Sequence, residues 1–210
     1  MTGATRSITP RLAAAAAAVL TAGAALAVSA GPASASTNVH VRYRVTGSTY
    51  IQAPNFTLSL GPGKLRSTVN LKTGKLTAAL SLPDATGSFT EAGIIPVTAT
   101  TQFINDGTTT GRVNLTTGAV RTKSRITLRI VSLTVAGLPV SVGNSCQTKS
   151  AVVVRLTSQP GFNVLTGGHL SGGYTIPKFS GCGLSTFLIN LTIPGSGNTI
   201  SLKLGKAKIV

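Results

Sequence analysis

The chain of 210 residues carries 19 Lys and Arg against three Asp and Glu, a formal net charge of +16, with 24 Gly and no Trp. That is the composition of a basic, β-prone protein with few charged groups to spare for chemistry. Asp84, Glu91 and Asp106 are its carboxylates and His40 and His169 its imidazoles. None stands at a recognised metal or catalytic spacing, so no enzyme, metal site or cofactor is expected.

Arg6 and Arg11 precede an apolar run from Leu12 to Ala30, and Ala33-Ser34-Ala35 then offers an A-x-A cleavage site before Ser36. This order predicts a secretory signal over residues 1–35 and a single mature domain over residues 36–210. A membrane anchor is the competing interpretation, because about 18 apolar residues can span a bilayer. This run is mostly Ala and ends in Gly31-Pro32, and no second hydrophobic span follows, so the mature chain is expected to be secreted, extracellular or loosely wall-associated, without a transmembrane segment. Leu82-Pro83-Asp84-Ala85-Thr86-Gly87 approaches a wall-sorting signal but has one residue too many and lies mid-chain, which predicts a strand end and turn instead.

From residue 38 onward apolar residues alternate with period two. Val39, Val41, Tyr43 and Val45 share one face, with His40, Arg42 and Arg44 on the other. Leu65, Ser67, Val69 and Leu71 repeat the pattern, as do Leu76, Ala78, Leu80 and Leu82, then Val152, Val154 and Leu156, then Phe187, Ile189, Leu191 and Ile193, and finally Ile200, Leu202 and Leu204. These predict half-buried antiparallel strands with little or no helix. Gly195-Ser196-Gly197-Asn198 is expected to be a turn between two of them.

Asn70-Leu71-Lys72-Thr73-Gly74 and Asn114-Leu115-Thr116-Thr117-Gly118 each place Gly where a tight hairpin needs positive φ. Val69-Asn70-Leu71 recurs as Val113-Asn114-Leu115, and Gly93-Ile94-Ile95-Pro96-Val97 is echoed by Gly137-Leu138-Pro139-Val140. Asn163-Val164-Leu165-Thr166-Gly167 is a fainter third copy of the turn. The expected fold is an all-β antiparallel sandwich or barrel built from hairpins, with internal duplication as the preferred explanation of the repeat.

Cys146 and Cys182 are the only cysteines, and in an exported chain an even count predicts one disulfide. A thiol nucleophile paired with His169 would need a reduced cysteine and an orienting group, and His40 stands among Arg42 and Arg44, which repel a metal ion. The Ala-rich signal, Gly61-Pro62-Gly63, the Thr-Gly turns, and Cys146-Gln147-Thr148 followed by Ser180-Gly181-Cys182-Gly183 resemble small secreted actinobacterial β-rich proteins of unassigned function. That resemblance implies a fold neighbourhood and no activity.

Arg121, Lys123, Arg125 and Arg129 fall at positions of one parity, so a single strand projects all four from one side while Ile126, Leu128 and Ile130 point to the other. Arg42 and Arg44 form a shorter stripe. The plainer explanation is that cations solubilise strands and block edge-to-edge pairing; the functional one is an anion-binding face. Without Trp and with three Tyr, stacking on sugars or sequence-specific nucleic-acid readout is not expected. The expected function is therefore non-enzymatic, electrostatic attachment to anionic envelope material, either wall polymer or lipid headgroups. The alternative is a carrier of a lipid or other apolar ligand, because the small inward residues Ser67, Ala78, Thr122 and Ser124 would leave room inside a barrel. A secreted inhibitor or toxin-like effector is the third class.

Overall fold

A computed structural model describes residues 37–210; the expected signal and the cleavage point at Ser36 lie outside the described residues. Alternation of residue type becomes alternation of burial: along β1 (Asn38–Ile51), Val41, Tyr43 and Val45 are buried while His40, Arg42 and Arg44 are exposed. The same holds in β2 (Phe56–Asn70), β3 (Lys75–Ser81), β10 (Val152–Ser158) and β13 (Gly195–Leu204). The remaining strands are β4 (Ala85–Glu91), β5 (Ile95–Asn105), β6 (Thr109–Val113), β7 (Val120–Val135), β8 (Leu138–Val140), β9 (Gln147–Thr148), β11 (Gly168–Ile176), β12 (Phe179–Ser180) and β14 (Lys208–Ile209).

Eight strands close into an antiparallel barrel in the order β7-β10-β11-β13-β1-β2-β3-β6 and back to β7. Closure leaves no free edge in the barrel wall, the constraint that a sandwich meets only partly. The first half of β7 belongs to the barrel, and its second half runs on to pair with β5, β8 and β9. One core cluster, which includes Tyr43, Val45, Leu76, Val120, Leu156 and Leu202, fills the barrel; a second, with Ile130, Leu133, Ile176 and Phe179, lies toward the far end of β7. Leu128 and Tyr174 touch both.

The repeat has a structural counterpart at each end of the strands. Asn70, Asn114 and Asn163 each accept, through Oδ1, hydrogen bonds from the backbone N–H two and three residues on, at 2.8–3.3 Å. Gly74, Gly118 and Gly167 each donate N–H to the carbonyl of that Asn at 2.7–2.8 Å, with φ of +67°, +74° and +86°. Three loops are thus one motif, an Asx-capped turn ended by a left-handed glycine. The other repeated element is Ala92-Gly93 and Ala136-Gly137, where both residues of each pair have positive φ at the β4–β5 and β7–β8 tips.

The segment around Phe187 departs from expectation. Phe187, Ile189 and Leu191 are not on a strand; they lie on α1 (Thr186–Thr192), which follows a 3-10 turn at Gly183–Ser185. A short apolar run fits either period, and here the helix is selected because Ile189 alone is buried while Asn190 lends its side-chain amide to the β12 edge. Asn190 Oδ1 accepts from Phe179 N–H at 2.7 Å and its Nδ2 donates to the Phe179 carbonyl at 3.0 Å. Leu184, Phe187, Leu188 and Leu191 then recur at helical spacing, a three-and-four pattern that the sequence was not expected to hold. Gly195–Asn198 likewise begins β13 directly after this helix and is no turn between strands.

The disulfide forms as expected between Cys146 and Cys182, with Cα atoms 4.2 Å apart across 36 positions. It ties the helical segment to β7, because Ile130 N–H donates to the Cys146 carbonyl at 2.9 Å.

Candidate anion-binding surface

The register of the barrel decides which cations meet. In antiparallel pairs, directly opposed residues project from the same side with Cβ atoms about 4.5–5.5 Å apart. One row around the outer wall reads Lys75, Arg112, Arg121, Thr157. The next reads His40, Thr68, Thr77, Thr110, Lys123, Arg155. A third reads Lys208, Arg42, Arg66, Ala79, and a fourth Arg44, Lys64, Ser81. Arg112 therefore faces Arg121, Lys123 faces Arg155, Arg42 faces both Arg66 and Lys208, and Arg44 faces Lys64; all these side chains are exposed. Between the flanking cations runs a strip of threonine hydroxyls, and His40, Arg42, Arg66, Thr68 and Thr77 line an open surface hollow of about 520 Å³.

The six cations singled out from sequence divide into three situations. Arg121 and Lys123 join the first two rows, and Arg42 and Arg44 the third and fourth. Arg125 forms an ion pair with Asp106 at 3.3 Å, the one ion pair among the described residues. Arg129 lies further along β7, where its guanidinium donates to the Asn144 carbonyl. The stripe of four is thus not one free face: Arg125 has a counter-ion and Arg129 braces the loop before Cys146. Lys75, Arg112, Arg155, Lys64, Arg66 and Lys208 complete the surface instead. Lys75, Arg112 and Arg155 are lone cations in their own strands and reach a cationic neighbour only across a strand pair, whereas Lys64 and Arg66 stand two apart on β2, a stripe as legible as Arg42 and Arg44 that sequence reasoning passed over.

Inside the barrel the polar groups are satisfied. Tyr43 donates to the Val164 carbonyl at 2.7 Å, Thr49 Oγ1 lies 2.5 Å from the Tyr174 hydroxyl, and Thr109 Oγ1 lies 2.8 Å from Ser124 Oγ. Burial pushes both phenols above the ordinary tyrosine value, with the Thr49 hydrogen bond partly opposing the shift at Tyr174. Two apolar cavities remain, of about 80 Å³ beside Leu58, Phe103 and Ile126 and of about 50 Å³ where Ser67, Ala78, Thr122 and Ser124 meet. The small inward residues do leave space, but little of it. No group of His, Cys, Asp and Glu suited to a metal ion occurs among the described residues, and no described helix is long and apolar enough to cross a membrane.

No protein-family model, curated protein or solved structure matches this chain. Its chemistry rests on the residues themselves.

Proposed function

We propose that the mature chain is a secreted, non-enzymatic β-barrel module that attaches electrostatically to anionic material of the cell envelope. The observation that carries this reading is the set of cations held opposite cations across strand pairs. Like charges directly opposed in a sheet destabilise it, and solubility alone is served as well by dispersed cations. A surface that accepts the repulsion is favoured when a polyanion relieves it, with counterion release adding to the attraction. The threonine strip supplies neutral donors between the flanking guanidinium groups.

An apolar carrier draws less support from the same structure. Sites for drug-sized ligands occupy roughly 300–1,000 Å³, against interior volumes of about 80 and 50 Å³ here.

The test compares two variants of equal charge: Arg112, Arg121, Lys123 and Arg155 all to Gln, against Arg125, Arg129, Lys149 and Lys178 all to Gln. The first removes opposed cations; the second removes cations that are paired, braced or outside the rows. Retention on immobilised polyphosphate is expected to collapse in the first and fall modestly in the second. Equal losses would reduce the attachment to an effect of overall charge, and unaltered retention in both would sink the reading.

A further inference from the structure

The three Asx-capped turns lie together at one rim of the barrel. Asn70–Gly74 joins β2 to β3, Asn114–Gly118 joins β6 to β7, and Asn163–Gly167 lies in the connection from β10 to β11. One hydrogen bond joins the first two turns, Val113 N–H donating to the Gly74 carbonyl at 2.8 Å, while the third is fastened to the connection after β13, where Ala207 N–H donates to the Leu165 carbonyl at 2.9 Å. Each turn projects one leucine into solvent, with Leu71, Leu115 and Leu165 54, 51 and 57% exposed. A single exposed leucine needs no explanation. Three, on copies of one motif at one rim, define a plane.

That plane is bordered by cationic side chains. The first cationic row, Lys75, Arg112 and Arg121, follows or precedes the first two turns by one to three residues, and Lys72 stands within the first. The side-chain carboxylates lie elsewhere: Glu91 ends β4 near α1, Asp84 lies between β3 and β4 at the far end of β3, and Asp106 is paired to Arg125. A wall polymer or a free polyphosphate gives the cations a partner but offers nothing to the leucines. An anionic bilayer offers both, because apolar tips enter the acyl boundary while Lys and Arg remain at the phosphates.

We infer that this rim is a bilayer-docking end, with Leu71, Leu115 and Leu165 entering the interface of an anionic membrane and Lys75, Arg112 and Arg121 on its headgroups. The inference rests on the attachment proposed above and names its partner as a lipid surface. Rigid turns favour it, since the Asx hydrogen bonds and the left-handed glycines hold the leucines in place without binding-induced ordering.

The absence of Trp allows a direct test. Leu71→Trp, Leu115→Trp and Leu165→Trp each install a lone reporter at the rim, and Phe187→Trp installs one on α1 at the other end. Each variant is mixed with phosphatidylglycerol–phosphatidylcholine vesicles and, separately, with soluble polyphosphate; circular dichroism first establishes that it is folded. The expected result is a blue shift, with quenching by brominated lipid, for the three rim reporters on vesicles, no shift at Phe187→Trp, and no shift for any on polyphosphate. A shift confined to Phe187→Trp would move the membrane face to the helix end and overturn the inference. Vesicle binding without a shift at any reporter would also overturn it while leaving electrostatic attachment standing. Failure to bind either vesicles or polyphosphate would remove both.

Discussion

At one end of the barrel three leucines stand apart on hydrogen-bonded turns, bordered by cations; at the other, Leu184, Phe187, Leu188 and Leu191 form an apolar face on a single helical segment. Leu184 is fully exposed, and Phe187 and Leu191 are each 74% exposed. Ile95 and Leu188 line one groove between α1 and the β4–β5 hairpin, with Glu91 beside it. Ile94 and Leu138 add exposed apolar tips at the Ala-Gly turns. One end is therefore charged with isolated apolar points, and the other is apolar with a carboxylate at its border. β7 spans both, and what distinguishes them is how each is fastened: the rim by repeated backbone turns within the barrel, the helix end by a covalent bond.

That difference is broken most severely at Cys146 and Cys182. Replacing both with Ser opens a loop closed over 36 positions, which on the chain-entropy model costs about 4 kcal/mol of stability. Because the bond fastens the helix end, hydrogen exchange is expected to rise first in α1 and β12, while the Asx turns keep their protection at temperatures below the global transition. Polyphosphate binding in the cold should persist. Uniform loss of protection at both ends would show that the bond stabilises the barrel as a whole.

The rim is broken by its glycines, and unequally. A Cβ at Gly74 would collide with the Val113 carbonyl oxygen, whereas one at Gly118 meets nothing within 4 Å, although both have positive φ. Gly118→Ala is expected to cost roughly 1 kcal/mol, from backbone conformation alone. Gly74→Ala should cost more, on the order of 2–3 kcal/mol, since the close approach of β6 must also yield. Denaturant midpoints of the two variants at constant m-value measure the gap, and equal midpoints would contradict the described contact.

How far these ends were legible in the sequence follows from the range of the interactions that make them. The inward faces of β1, β3, β10 and β13 are visible because period two is written in consecutive residues such as Val41, Tyr43 and Val45. The Asx turns are visible for the same reason: Asn70, Asn114 and Asn163 bond groups two and three residues away. The cationic rows are not visible, because Arg112 and Arg155 are lone cations in their own strands and gain meaning only from the register with β7. The pairing of Arg125 with Asp106 is hidden likewise, because it joins the β5–β6 connection to β7. The helix escaped because Phe187, Ile189 and Leu191 satisfy a strand period while Leu184, Phe187, Leu188 and Leu191 satisfy a helical one; the disulfide and the Asn190 bonds to β12 select between them.

A smaller effect sharpens the comparison from the charged side. Arg112 lies between Lys75 and Arg121, and Arg112→Thr introduces a β-branched residue suited to the strand while relieving two repulsions. Stability is expected to rise by about 0.5–1 kcal/mol at low ionic strength, a gain of roughly 1–4 °C in Tm for a domain of this size. The gain should shrink as salt screens the wild-type repulsion, and polyphosphate affinity should fall in the same variant. A lower Tm at low salt would mean that Arg112 contributes packing that outweighs its charge.

The smallest effect on stability belongs to the apolar helix face. Leu184, Phe187 and Leu191 are so exposed that replacing all three with Ser removes little buried area, and only Ile189 of α1 is buried. Thermal stability is expected to change by less than about 0.5 kcal/mol per site, while retention on a hydrophobic matrix drops clearly because three large exposed apolar side chains on one helical segment are gone. The rim variant Leu71→Ser, Leu115→Ser and Leu165→Ser supplies the contrast, since its leucines are dispersed over three turns and present no continuous patch. It should lose less retention on the hydrophobic matrix and more on anionic vesicles. If the two variants exchange these behaviours, the assignment of a lipid-facing role to the rim is reversed.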